Sequence, residues 1–525
     1  MAQLQLLGVD TGGTFTDFVF FDGERLVIHK ILSTPAAPEQ AILAGVEDLE
    51  ADPENLRLVH GSTVATNAVL EGKGVDVAYV TNRGFADVLT IGRQARRELY
   101  DLTPRRPRPP VPASHCLETG GRLAADGRRL EPLTDAGLRE LIRAVKALGV
   151  ESVAVNQLFA FLDDADERAI ETAMPDGVFV SRSSAVLPEY GEYERGVATW
   201  LNAYVGPLME RYLARLRDGV APGRVAVMQS SGETVEADQA GQRSVNLLLS
   251  GPAGGLMAAR HLGRLAGRER LMTFDIGGTS TDVALIDGDI GWTTEGRIGD
   301  YPVAVPQVDM HTIGAGGGSI ARLDAGGLLQ VGPESAGADP GPACYGQGGE
   351  APTLTDANVV LGRLRPEAAL GGSLNIDREA ARKAVEQVGR RMGMDGVEAA
   401  RGIVRLAVER MAHALRVISV QRGHDPGAFT LMSFGGAGGL HVCELAEAMG
   451  MNRAMVPVHA GVLSALGMLV APPGRQLSRT LGRPLSDVTP AEVESGLESL
   501  AASGAERLVA EGVVRDRHGG RVVAD

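Results

Sequence analysis

VDTGGTFTDFVFFDG runs from Val9 to Gly23, and FDIGGTSTDVALIDG runs from Phe274 to Gly288. In each, an apolar run ends in aspartate, Gly-Gly-Thr turns the chain, a second apolar run follows, and an Asp-Gly pair turns it again. The pattern predicts a meander of three short strands, the first copy ending in RLVIHKI. The same offset of 265 residues separates Asp10 from Asp275 and Asp22 from Asp287, so the aspartate and its hairpin turn repeat in register. A period that long implies duplicated domains rather than a solenoid.

A strand ending in aspartate and closed by Gly-Gly-Thr brings backbone amides together at a concave turn, which suits phosphate oxygens. Glycine lets the ligand approach without a Cβ in the way. A single copy is an ordinary glycine-rich hairpin; two copies in register point to ligand binding, with Gly12, Gly13, Thr14 and Thr16 on one jaw and Gly277, Gly278, Thr279 and Thr281 on the other. Asp10 and Asp275 fall at strand ends, where a carboxylate holds the water shell of Mg²⁺ or orients an attacking atom. A third cluster, LMSFGGAGGLHVCELAEAMG from Leu431, predicts a strand, a turn at Gly435, Gly436, Gly438 and Gly439, and a helix N-terminus able to seat a nucleotide. HTIGAGGGSIA from His311 either lines the same cleft or turns the chain. The sequence has neither G-x-x-x-x-G-K-[ST] nor G-x-G-x-x-G.

With 525 residues, 44% of them hydrophobic, the chain can bury more than one core. Its net charge of -15 disfavours nucleic acid or an anionic membrane as main partner. Three scattered cysteines, Cys116, Cys344 and Cys443, argue against a disulfide framework, and no apolar run is long enough to span a bilayer. Together with an N-terminus that lacks a signal-peptide pattern, these features predict a cytoplasmic protein.

Between the repeats, DAGLRELIRAVKALGV from Asp135 reads as a helix and SVAVNQLF after it as a buried strand, the alternation of an α/β domain. TPRRPRPPVP, residues 103–112, reads as an exposed irregular segment. The expected division is an ATPase-like domain over 1–190, a second over 191–471, and a helical C-terminal segment over 472–525.

The paired turns with FGGAGG resemble the two phosphate motifs and the adenosine motif of the actin, Hsp70 and sugar kinase superfamily. HGSTVATNAVLEGKG from His60, TNRGFADVLTIGRQ from Thr81, LPEYGEYERGVATWLNAYVGP from Leu187, SGPAGG from Ser250 and GADPGPACYGQGG from Gly337 resemble the hydantoinase A/5-oxoprolinase family over about Leu6 to Ala471. The resemblance implies an α/β fold of two duplicated ATPase domains with a nucleotide cleft between them. It further implies ATP and Mg²⁺ as cofactors, a small cyclic amide such as a hydantoin or 5-oxoproline as substrate, and a hydantoinase B-type partner subunit. Relatives use ATP to carboxylate ketones, and longer members carry a further C-terminal domain after the position of SALGMLVAPP.

Amide carbonyls are poor electrophiles, so the expected use of ATP is phosphorylation of the carbonyl oxygen, with Asp10 and Asp275 as the catalytic pair. His60, Asp309 and His311 are candidates for substrate or metal contact, since Asp309 and His311 share one face of an extended strand. A buried hydrogen-bonded pair, and an ordinary polar contact for His60, are the alternatives. Cys344 reads as a packing residue. Competing functions are a small-molecule kinase of the same fold and an ATP-driven activator.

Overall fold

Residues 4–34, 36–95, 100, 102–103, 109–365, 367 and 375–513 are described by a computed structural model. Residues 104–108 of the proline-rich stretch, and the chain past 513, lie outside them.

Apolar alternation and two turns make the first meander. Strands β1 (Gln5–Thr11), β2 (Phe15–Phe21) and β3 (Leu26–Leu32) run antiparallel, with Asp10 opposite Asp17 and Thr11 opposite Thr16 across the Gly-Gly-Thr loop. Asp22 closes the next turn by accepting from the amides of Glu24 and Arg25 at 2.8 and 2.7 Å. Strand β4 (Leu56–Ser62) pairs parallel to β1.

The chain then leaves this sheet. Strands β5 (Val77–Asn82), β6 (Cys116–Thr119), β7 (Ser152–Asn156) and β8 (Phe179–Arg182) form a separate all-parallel sheet in the order β8-β7-β5-β6. The helix expected after Asp135 spans Asp135–Leu148, capped by the Thr134 hydroxyl and stopped by left-handed Gly149, and it leads into β7. Helix α1 (Glu192–Val220) carries the chain back, and its buried Arg195 donates to Asn156 Oδ1 and to the carbonyls of Gln157 and Glu189. Strands β9 (Arg224–Met228) and β10 (Thr234–Glu236) then complete the first sheet as β10-β9-β4-β1-β2-β3. The sheet of the first repeat therefore runs past the expected boundary at residue 190, because β9 finds its parallel partner in β4.

After helix α2 (Ser250–Leu265), strands β11 (Arg270–Ile276) and β12 (Thr281–Asp287) reproduce the first hairpin, with Asp275 opposite Asp282 and Ile276 opposite Thr281. The third strand of this copy is split: Asp289–Ile290 pairs with the end of β12, and β13 (Met310–Ile313) pairs with its start. Helix α3 (Gly396–Ile418), with an Asp395/Glu398 capping box, covers this sheet. Strand β14 (Thr430–Phe434) pairs parallel to β11, and β15 (Ala454–Met455) to β14. Helix α4 (Leu463–Val470) and, after an extended stretch, helix α5 (Pro490–Ala510) follow.

One core joins the two sheets: Val59, Ala226 and Met228 of the first, and Leu271, Ala284, Met432 and Phe434 of the second, pack with α2 and α4. The two helices cross backbone to backbone. A Cβ at Gly467 would lie 1.7 Å from the Gly254 carbonyl oxygen, and one at Gly8 would lie 2.1 Å from that of Ala465. Gly467→Ala is expected to destabilise the fold by about 2–4 kcal/mol, since neither backbone can yield without moving a sheet; urea denaturation beside the wild type measures it, and an unchanged midpoint would refute the crossing.

Candidate nucleotide site

Each loop is closed the same way. The amide of Gly12 donates to Phe15 O and that of Gly277 to Ser280 O, both at 3.0 Å. This turn leaves the next two amides pointing outward, and among the described residues no protein oxygen accepts from the amides of Gly13, Thr14, Gly278 or Thr279. All four residues are exposed. Thr16 and Thr281 are different: both are fully buried, Thr16 Oγ1 sharing a hydrogen bond with Ser33 Oγ and Thr281 Oγ1 donating to Ala315 O. Their hydroxyls brace the loops rather than face a ligand, because alternation along β2 and β12 turns them inward.

The GAGGGS stretch, residues 314–319, supports the second loop from below. Gly317 and Gly318 donate to the carbonyls of Gly277 and Gly278 at 3.0 and 2.6 Å, an approach that a side chain at Gly316 would block. The third cluster sits beside the same loop. Gly435 has φ +78°, and a Cβ there would fall 2.1 Å from Asp275 Oδ1. Gly436 and Gly439 are exposed, whereas Gly438 is buried against Ser433 and Phe274 and does not face solvent. A 3-10 turn over Gly438–Leu440 intervenes before the helix, which begins only at Val442.

Asp10 and Asp275 are half-buried, and Asp275 lies close enough to act on Asp10 electrostatically. Burial, then Asp17 and Asp275, push Asp10 up to about 8 against the pull of Lys30. Burial, then Asp282 and Asp17, push Asp275 up to about 7. Their cross-strand partners are also raised by burial, Asp17 while ion-paired to Lys30 and Asp282 while accepting from Thr312 Oγ1 at 2.5 Å. Four carboxyl groups thus converge between the two loops with one lysine among them. The N-terminal turn of α2 adds Gly251, whose missing side chain leaves the space 3.8 Å from Asp10 Oδ1 clear.

Among the described residues no three His, Cys, Asp or Glu side chains are grouped so as to hold a metal ion alone. That geometry still fits Mg²⁺, which keeps several waters and takes one or two carboxylates plus phosphate oxygens. A divalent cation with a polyphosphate would relieve the repulsion between Asp10 and Asp275 and use the free amides on both loops.

The weaker candidates lie elsewhere. His60 is fully buried: its Nε2 meets the Tyr212 hydroxyl at 2.6 Å, its Nδ1 meets Val9 O at 3.3 Å, and burial pushes it down to about 4. With both ring nitrogens occupied it is a neutral core residue, not a substrate or metal ligand. Asp309 is ion-paired to Arg422, whose charge together with burial also lowers His311. Both therefore lie within reach of the charge of Arg422. On β13 it is Thr312 that reaches the cleft. Buried Cys344, its thiol pushed well above the usual range by burial and Asp356, packs as expected.

The family model described as hydantoinase/oxoprolinase matches residues 195–476, and that of the hydantoinase/oxoprolinase N-terminal region matches residues 6–176. The chain belongs to the hydantoinase/oxoprolinase family. It is 37% identical over 493 residues to caprolactamase subunit alpha of Pseudomonas jessenii, covering 89% of this chain and 70% of that one. It is 32% identical to 5-oxoprolinase 1 of Arabidopsis thaliana, covering 88% of this chain but only 41% of that longer protein. The fold matches the crystal structure of the ATP-dependent caprolactamase from Pseudomonas jessenii with a TM-score of 0.83 at 33% identity, over 98% of this chain and 77% of that one. It matches nucleotide-free acetone carboxylase with a TM-score of 0.78 at 26% identity, over 98% and 78% of the two chains. No helix among the described residues is long and apolar enough to cross a membrane.

Raised carboxyls set a pH dependence with a definite sign. Asp10 and Asp275 hold protons in the folded protein that the unfolded chain releases near pH 4, so they penalise the metal-free fold increasingly as pH climbs from about 4 to about 8. Asp10→Asn is expected to be more stable than wild type by about 1–2 kcal/mol at pH 8 in EDTA, and equal to it near pH 4; urea denaturation at both pH values measures this, and a less stable variant at pH 8 would refute the assignment. Gly435→Ala should displace Asp275 and weaken ADP binding by about tenfold or more, read by calorimetry.

Proposed function

We propose that this chain is the ATP-binding subunit of an ATP-dependent cyclic amidase, acting on a ring amide of the hydantoin, 5-oxoproline or lactam class. The observation that carries the reading is the pair of matched loops, each with two amides that no described protein oxygen accepts from, beside Asp10 and Asp275, with Asp275 near enough to act on Asp10 electrostatically. Bound ATP with Mg²⁺ would supply its γ-phosphoryl group to the amide carbonyl oxygen, with ADP as the leaving group, and so make the carbonyl carbon open to attack by water. The chain's own work is positioning: the amides of Gly13, Thr14, Gly278 and Thr279 hold phosphate oxygens, and Asp10 and Asp275 hold the hydrated cation between them. Lys30 offsets part of the charge at Asp17, and Gly251 and Gly435 keep space clear for the two carboxylates.

Amide opening is assigned to the combination with a hydantoinase B-type subunit, in keeping with a relative that is itself named as a subunit. The three cysteines are free, which accords with a cytoplasmic protein. Ketone carboxylation is the second reading, favoured by the acetone carboxylase likeness, and it needs the same loops and carboxylates.

Asp10→Asn and Asp275→Asn are each expected to lower substrate-dependent ADP release by at least ~10²-fold. If both release ADP at the wild-type rate, the roles are wrong. Incubation with ATP, Mg²⁺ and a panel of hydantoin, 5-oxoproline, caprolactam and acetone, with and without the B-type subunit, separates the readings: ring opening that needs the partner supports the amidase, bicarbonate-dependent consumption of acetone the carboxylase. Because the cation must displace protons from Asp10 and Asp275, Mg²⁺-ADP should bind more tightly at pH 8.5 than at pH 6.5, with proton release visible as buffer-dependent binding heat.

A further inference from the structure

A basic pocket lies away from the acidic cleft. It has a volume of about 230 Å³ and is walled by Arg243, Arg475 and Arg507 together with the carboxamides of Gln229, Gln239 and Gln242. Its position follows from strand alternation. Leu7, Val9, Leu58, Val225 and Val227 face the α1 core, as do Val235, Ala240 and Leu247 around the pocket. Asp10 is on the opposite face with Gly8, whose neighbour is α4. The pocket and the paired carboxylates are thus separated by the first sheet.

The charges there do not cancel. Arg475 is paired with Glu511, and Arg182 with Asp164 and Glu171. Arg243 and Arg507 make no ion pair among the described residues. The charged neighbours acting on Arg243 are Arg507, Arg475 and Arg182, and with burial they push it down to about 10. A half-buried guanidinium with no carboxylate partner and other arginines near it is costly unless an anion joins it. Arginine's planar fork matches carboxylate and phosphate oxygens, and carboxamides supply further donors.

We propose that this pocket binds a small oxyanion, a phosphate or carboxylate metabolite, between Arg243 and Arg507. The ligand would tie the C-terminal segment to the first sheet. Arg507 comes from α5 and Arg475 from the stretch after α4, while Arg243 comes from the 3-10 turn over Gly241–Leu247 that follows β10. The two sides already touch through Arg475 Nη2 and Gln239 Oε1 at 3.2 Å and through Arg224 Nη2 and Glu511 O at 2.8 Å.

The test uses the full chain with saturating Mg²⁺-ADP to fill the cleft, titrated with inorganic phosphate or succinate at ionic strength held constant by NaCl. Hydrogen–deuterium exchange should show saturable protection of residues 239–247 and 474–511 with one of the two probes. Protection by phosphate assigns a phosphoryl ligand, and protection by succinate a carboxylate. Arg243→Gln and Arg507→Gln should each weaken that probe's binding by about tenfold or more with ADP affinity unchanged. Should Arg243→Gln fail to fold, Arg507→Gln on the half-exposed face of α5 decides alone. The proposal is overturned if neither probe protects these segments, if protection persists in Arg507→Gln, or if the arginines serve only to hold an acidic side chain of a partner subunit, seen as Arg507→Gln losing assembly without any change in probe binding.

Discussion

Where α2 crosses α4, two helical backbones touch without side chains between them, and that crossing sets the distance between the two sheets. Gly254 and Gly467 meet there, and Gly8 of β1 meets Ala465 of α4 from one side. Met432 and Phe434, on the strand beside β11, pack on these helices from the other side. Helices packed through ordinary side chains stand about 8–10 Å apart. Removing those side chains at one point draws β1 and β11 together, and the loops at their ends follow. The electrostatic contact between Asp10 and Asp275 is a consequence of glycines placed on other elements.

That closeness has a cost which the fold accepts. Half-buried carboxyl groups of like charge are poor neighbours, and in the absence of a cation they relieve the strain by holding protons. The same arrangement gives the loops a strong preference for a ligand that brings positive charge and phosphate together. Binding and stability are therefore opposed at these residues, as is usual where a site is preorganised for something the bare protein lacks. The supports are rigid: Ser33 under the first loop, Gly317 and Gly318 under the second.

Much of this could be read in advance from the repeat. The spacing of Asp10, Gly-Gly-Thr and Thr16 marked a tight glycine turn between two strands, and the register could have named Asp17 and Asp282 as the partners across each hairpin. Family blocks fixed the membership of the chain. What could not be read depended on strand parity or on remote contacts. Asp309 and His311 were picked out as a face, yet both lie within reach of the charge of Arg422, and it is Thr312 that reaches the cleft. His60 lies in a recognisable block but points into the α1 core, toward Tyr212. That the first sheet continues past residue 190 was not legible, because β9 carries no mark that its partner lies some 160 residues earlier. Nor does any local pattern join Arg243 to Arg507.

The long excursion between β4 and β9 also bears on how the chain acquires its structure. Arg57 pairs with Arg224, so an entire parallel sheet and α1 must be made before the first sheet can gain its last two strands. Contacts so distant along the chain close slowly, because loop entropy is lost before pairing energy is gained. During synthesis β4 would wait with one edge open while the inserted sheet, built from neighbouring segments, assembles beside it. The connectivity thereby sets a condition on assembly: β9 and β10 can join the first sheet, and α4 can cross α2, only once the long intervening chain has been made.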